Sequence, residues 1–225
     1  LVALAALSSC AGYATLTNYE QPTGTATTRV EASADLTAEL VANNLLSTKY
    51  SLQALAGFVE PLIYQTRAIE GSGLESIEQF LDQRAAALET INTLYVTDLS
   101  GDLLYSSKSV SESSVPGWVL LRAYLKTDSR EALVSPLFQD PETGEFWLFR
   151  IRQLRNAAGE PIGLIIARQS PEALVATFSQ LSLSEGQSIA ILDESMRLVA
   201  RRPLENDNKN ILGKKVSELN TRQFI

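Results

Sequence analysis

The sequence predicts an α+β fold: a long N-terminal helix packed on a small antiparallel sheet, followed by the start of a second, similar unit. Three observations lead there. Between about Thr27 and Arg67, apolar residues recur at spacings of three, four or seven, the stripe of an amphipathic helix. Between Ala86 and Arg168, short apolar runs alternate with Asp, Asn, Ser and Gly turn signals, which reads as antiparallel hairpins. The connections are too short for parallel crossovers. After Gly186 the hairpin pattern begins again.

The stretch Leu1–Tyr19 (LVALAALSSCAGYATLTNY) carries no charge. Three readings of it stand side by side. It is the end of a membrane-spanning helix, which needs about 20 apolar residues. It is a cleaved signal segment. Or it is a lipoprotein signal, with Leu7-Ser-Ser-Cys10 as the lipobox and Cys10 lipidated. Each places the remainder outside the cytoplasm, and a chain with Cys10 as its only cysteine suits an oxidising compartment. A start within an apolar run, without Met, and a stop at Phe224-Ile225 read as a piece of a longer protein whose output lies elsewhere.

The helical stripe comes next, through Val30, Ala34, Val41, Leu45, Leu52, Leu55, Val59 and Leu62. Some 40 residues would span about 60 Å, with Pro61 kinking or ending the helix near its last turn. Two ordinary core helices are the alternative. Glu70-Gly-Ser-Gly73 breaks the pattern, and Leu74–Leu88 forms a second amphipathic helix. A first hairpin follows, with strands near 91–97 and 102–106 about Asp98-Leu-Ser-Gly101. Ser106–Pro116 is a polar surface loop. Trp118–Lys126 (WVLLRAYLK) is a short helix beside a pocket. Strands at Ala132–Phe138 and Glu145–Leu154 join through Asp140-Pro-Glu-Thr-Gly144, and Ile162–Ala167 is the last strand. Ser170 then caps a helix whose first position is Pro171 and which runs to about Leu181. Beyond it, Ser188–Leu192 reaches Asp193 as Thr93–Thr97 reaches Asp98, a repeat of pattern rather than identity. The domains expected are therefore 1–19, 25–181 and 182–225.

Composition excludes several function classes. A net charge of −7 offers no basic stripe for nucleic acid. The absence of histidine removes His-based triads and His metal sites. A single cysteine leaves no disulfide and no thiolate cluster. No nucleophile elbow, phosphate loop or metal-ligand spacing stands out, so neither a catalytic residue nor a cofactor is expected.

Candidate ligand contacts are Arg122, Arg152, Arg150, Trp118 and Tyr124. Arg122 sits in an apolar run, where a guanidinium needs a partner. A ligand carboxylate accepts its planar fork; an internal carbonyl is the structural alternative. Arg150 and Arg152 share one strand face with Phe146, Leu148 and Leu154, and point either into a pocket or into solvent. Trp118 and Tyr124 either wall the pocket or are plain core. Asp98 and Asp193 read as turn residues.

In order, the motifs Asp98-Leu-Ser-Gly101, Arg122-Ala-Tyr124, Ser135-Pro136, Thr143-Gly144, Arg152, Gly159 with Gly163, and Ile211-Leu-Gly213 resemble the double Cache family. These are tandem PAS-like extracytoplasmic sensor domains of bacterial transmembrane receptors. The resemblance spans about residues 25–225. It implies that the membrane-distal module binds a small molecule and that the long helix, paired in a homodimer, carries the signal. The output across the inner membrane would be a diguanylate cyclase, a histidine kinase or a chemoreceptor coiled coil. Thr143–Arg152 looks most like versions attached to diguanylate cyclases. The family's amino-acid-binding version carries Arg-x-Trp-aromatic and a later Asp. Here Arg122 is kept, Tyr124 replaces the Trp, Leu125 replaces the aromatic, and Arg168 stands where the Asp aligns. Nothing then neutralises an α-amino group, and Arg122 with Arg152 points instead to a small anion such as a carboxylate. The competing functional reading is a periplasmic lipoprotein binding module held by Cys10; a secreted enzyme is a third.

Overall fold

The computed structural model describes residues 2–6, 14–18, 24–66, 74–88, 90–108, 115, 117–126, 132–179, 181, 183, 188–203 and 211–219. The chain divides into two compact units, Leu46–Ser170 and a second made of Leu1–Leu45 with Pro171–Ile225. The helix α1, Gly24–Thr66, contributes its first part to the second unit and the rest to the first.

In the Leu46–Ser170 unit, helix α2 is Leu74–Ala87. The strands are β3 (Thr93–Thr97), β4 (Leu103–Ser106), β5 (Leu133–Val134), β6 (Phe138–Gln139), β7 (Phe146–Arg155) and β8 (Pro161–Gln169). They form an antiparallel sheet in the order β4-β3-β8-β7-β5, with β6 also on β7. The predicted strand at Ala132–Phe138 is two short pieces. Pro136 has no N–H to give a ladder; beside it the Ser135 N–H donates to the Phe149 carbonyl at 2.8 Å and the Ser135 hydroxyl accepts the Phe149 N–H at 3.0 Å. Between β4 and β5 lie α3 (Trp118–Leu121) and a 3-10 helix, Arg122–Lys126.

Strand alternation sorts the sheet into two faces. The inner face carries Leu94, Val96, Leu154, Ile165 and Ala167 and packs on Leu52, Leu55, Ala56, Val59 and Ile63 of α1 and Leu81 of α2. Of the stripe residues whose side chains are described, Val41, Leu52, Leu55 and Val59 are buried and Leu62 is half-buried. Pro61 lies inside α1, which continues to Thr66 rather than ending. The outer face carries Tyr95, Trp147, Phe149, Ile151, Leu164 and Ile166, covered by Val115, Leu121, Trp118, Tyr124 and Leu125. The end of β3 presses β8 closely: a Cβ at Gly163 would lie 2.0 Å from the Thr97 carbonyl oxygen.

The second unit holds an antiparallel sheet in the order β1-β2-β9-β10, with β1 Val2–Ala6, β2 Ala14–Asn18, β9 Ser188–Leu192 and β10 Leu198–Arg202. This corrects one expectation. Within Leu1–Tyr19, Val2–Ala6 and Ala14–Asn18 are strands, not the end of a membrane helix. Thr15 and Thr17 alternate with apolar neighbours, a strand period, and β2 finds a ladder partner along β9 from Ala14↔Leu192 to Asn18↔Ser188. Among the described residues, no helix is long and apolar enough to cross a membrane. Cys10 lies outside the described residues. Helix α4, Pro171–Ala176, begins where Ser170-Pro171 predicts and stops short of Leu181.

The β3–β4 and β9–β10 hairpins use one turn twice. The Asp98 carboxylate accepts the N–H groups of Ser100, Gly101 and Asp102 at 2.8–3.0 Å. The Asp193 carboxylate accepts those of Ser195 and Arg197 at 2.9 and 2.8 Å. Three residues beyond each Asp the backbone is left-handed, at Gly101 (φ 95°) and Met196 (φ 58°). Both aspartates are turn residues, as read.

Candidate ligand-binding face

The two faces of the first sheet separate the residues that the sequence grouped. Arg150 pairs in register with Ala167 and Arg152 with Ile165, both inner-face positions. Trp118 and Tyr124 belong to the outer-face cluster. The segment carrying Arg122 therefore covers one side of the sheet while Arg152 projects from the other. The structure does not bring Arg122 and Arg152 together as one anion clamp.

Arg150 is 3 % exposed, and its Nη2 donates to Gln169 Oε1 at 2.6 Å. It is a buried cation held by a neutral amide between the sheet and its helices. Arg152 is half-buried beside Glu60 and the β7–β8 turn. On the outer side, Arg122 is exposed and its side chain makes no hydrogen bond or ion pair among the described residues. The Trp118 ring lies so close to Gly101 that a Cβ there would meet it at 2.1 Å, so this indole is wedged against the β3–β4 turn. The Tyr124 hydroxyl donates to the Val134 carbonyl at 3.4 Å, and burial raises its pKa above the ordinary value.

The cation that does occupy the outer face is Arg168. It pairs with Thr93 on β3 and Phe149 on β7, so its side chain rises between them. Its guanidinium lies 4.1 Å from the Trp147 ring centroid and 5.6 Å from that of Tyr95. Nη2 donates to Thr93 Oγ1 at 3.3 Å. Nε is buried with no acceptor among the described residues, and so is Trp147 Nε1, on a residue only 9 % exposed. Stacking on aromatic faces suits the weakly hydrated, planar guanidinium. The rings supply no oxygen, so among the described residues the Thr93 hydroxyl is the one side-chain acceptor this half-buried arginine has. No ion pair reaches Arg168 among the described residues. A half-buried cation and an adjacent buried indole N–H, both short of acceptors, can hold an anion.

Sequence reading placed Arg168 only as a missing Asp and passed over Trp147. The signal was present: Trp147, Phe149 and Ile151 alternate with Arg150 and Arg152, so one strand separates its aromatic side from its basic side. Among the described residues no cluster of His, Cys, Asp or Glu is able to hold a metal ion.

No protein-family model matches the chain, and no curated protein matches it. Solved structures do. The extracellular domain of a putative histidine kinase, rpHK1S-Z16, is 16 % identical, with 87 % of this chain and 77 % of that one covered and a TM-score of 0.62. The ligand-binding domain of the Pseudomonas aeruginosa PAO1 amino-acid chemoreceptor PctC, in complex with GABA, is 17 % identical, with 86 % and 82 % covered and a TM-score of 0.60. The sensor domain of the Vibrio cholerae histidine kinase DctB is 11 % identical, with 88 % and 73 % covered and a TM-score of 0.61. The fold is thus the one used by sensor domains of histidine kinases and chemoreceptors, the Cache-like α+β architecture that the motif order resembles.

Proposed function

We propose that this chain is the extracytoplasmic sensing domain of a bacterial transmembrane receptor, and that it binds a small anion, such as a carboxylate, on the outer face of the Leu46–Ser170 sheet. Arg168 carries the proposal: a half-buried guanidinium over the Trp147 ring, on the face covered by Trp118–Lys126, with no ion pair to it among the described residues. Arg168 and the Trp147 N–H hold the anion. Tyr95, Trp118 and Tyr124 wall it, and Arg122, exposed at the start of the 3-10 helix, steers it electrostatically. An ammonium ligand is disfavoured, because it would sit beside Arg168 with nothing to neutralise it.

The fold shared with histidine kinase and chemoreceptor sensors supports a place on the periplasmic side of the inner membrane. It supports an output of one of those two kinds; the leaning of Thr143–Arg152 toward diguanylate cyclases draws no support from those neighbours. The long α1, with Leu46 and Tyr50 exposed one turn apart, is the homodimer stalk in this reading.

A thermal-shift panel of mono- and dicarboxylates, amines and nucleobases tests the ligand class. A carboxylate at a hundred times its dissociation constant adds about 2.7 kcal/mol of stability. Stabilisation by amines alone contradicts the proposal.

A further inference from the structure

The 3-10 helix over the outer face is tied to α1 by a continuous set of hydrogen bonds. The Gln153 side chain is 5 % exposed and has two ends. Nε2 donates to the Tyr124 carbonyl in the 3-10 helix at 2.7 Å. Oε1 accepts from Arg155 Nη2 at 2.5 Å. Arg155 also donates through Nη1 to the Gly159 carbonyl at 2.6 Å, which fixes the β7–β8 turn. Its backbone N–H, at the register shift after Leu154, donates to Glu60 Oε1 at 3.0 Å. Glu60 belongs to α1 and precedes Pro61.

Three features make this route more than an incidental series of contacts. First, β5 reaches only as far as Ile151 on β7, so residues 152–155 lie at an edge of the sheet with no strand beside them among the described residues. The hydrogen bonds pass round that edge from the outer face to the inner one without crossing the apolar layers. Second, a bulge strands one backbone N–H without a ladder partner. Here the missing acceptor comes from a helix 95 residues away in sequence. Third, Glu60, Arg152, Gln153, Arg155 and the 156–159 turn enclose a cleft of about 270 Å³ between hairpin and helix. That space allows these side chains to rearrange, which a close-packed interior resists.

We infer that Gln153 is a positioning residue, which with Arg155 and Glu60 transmits displacement of the 3-10 helix at Tyr124 to α1 around Glu60 and Pro61. The name of this segment as the ligand-site cover rests on the sensor reading; the mechanical link does not. When the 3-10 helix moves, Gln153 follows the Tyr124 carbonyl, Arg155 loses or shifts its side-chain acceptor, and the bulge N–H changes its hold on Glu60. The helix turn ahead of Pro61 is the element free to answer. Pro61 has no N–H to return to the Gly57 carbonyl, so the ladder is already one bond short there.

Amide hydrogen exchange of the 225-residue chain tests this without any ligand, so its failure is distinct from a failure of the sensor reading. Leu125→Ala loosens the 3-10 helix in an otherwise unchanged chain. It is expected to raise exchange in residues 56–64 of α1 by at least about threefold, while α2, which the route does not touch, stays unchanged. In a Gln153→Leu background, Leu125→Ala adds nothing at 56–64. Exchange at 56–64 that ignores Leu125→Ala overturns the inference. So does an equal rise with Gln153 replaced, or a rise shared by α2, which is global loosening.

Discussion

The sheet of the Leu46–Ser170 unit places two arginines in opposite circumstances. On the inner face, Arg150 is sealed among apolar side chains and its donor is answered by Gln169. On the outer face, Arg168 is stacked on rings and its side-chain hydrogen bond goes to the Thr93 hydroxyl, while Nε lacks an acceptor on both arginines among the described residues. The same residue type is fully buried in one place and half-buried over aromatic rings in the other. What separates them is the cover: two long amphipathic helices press on the inner face, whereas a short 3-10 segment crosses the outer one. A basic residue on a strand therefore has no role until the covering element is known.

The comparison breaks most visibly by exchanging the two cations for alanine. Arg150→Ala is expected to cost about 3 kcal/mol in urea unfolding, since it leaves Gln169 buried without its partner and opens a cavity, while anion affinity stays unchanged. Arg168→Ala does the reverse. Anion affinity falls about 10- to 100-fold by calorimetry, the worth of a charge-assisted hydrogen bond, with a much smaller change in unfolding. An affinity loss in Arg150→Ala would erase the distinction between the faces.

Arg122→Ala sharpens the comparison within the outer face. An exposed side chain without a partner among the described residues changes stability by less than about 0.5 kcal/mol. Its effect on anion affinity is smaller than that of Arg168→Ala, and is lost in high salt, as steering by an exposed charge should be.

The two tyrosines give a smaller, pH-dependent test. Burial raises the Tyr105 pKa on the inner face, with the Glu78 carboxylate adding to it, and burial alone raises that of Tyr124 on the outer face. Each phenol holds its proton more tightly folded than unfolded. The stability they contribute is fully present below the ordinary value of about 10 and is lost as the pH rises through the raised folded value. Tyr105→Phe and Tyr124→Phe should each flatten the decline of unfolding free energy above about pH 10. A bound anion should alter the Tyr124 contribution only.

Most of the architecture was legible because it rests on local chemistry. The 3.6-residue stripe gave α1, Asp-x-x-Gly gave the first hairpin, Ser170-Pro171 gave the start of α4, and Asp193 repeated the turn of Asp98. At Val2–Ala6 and Ala14–Asn18 the structure has strands where a helix is expected, because alanine-rich, uncharged composition suits a buried helix and a sheet strand alike, and pairing of β2 with β1 and β9 decides between them. The candidate ligand face was half legible. Alternation along β7 shows that Arg150 and Arg152 share a side and that Trp147 and Phe149 share the other. It does not show which side α1 covers, because both are apolar. Nor does the run PIGLIIARQ reveal Arg168, since β8 is buried on both faces and its alternation carries no polar contrast.

The central claim is that an anion is held on the outer face beside Arg168, and the chain's two tryptophans allow a direct test. Both indoles, Trp118 and Trp147, lie on that face. In a nitrogen–proton NMR correlation spectrum of the protein titrated with a carboxylate that stabilises it, the Trp147 indole resonance should move with the binding curve and more than that of Trp118, and Arg168→Ala should abolish the movement. Binding that leaves both indole resonances in place, or that persists unaltered in Arg168→Ala, would contradict it.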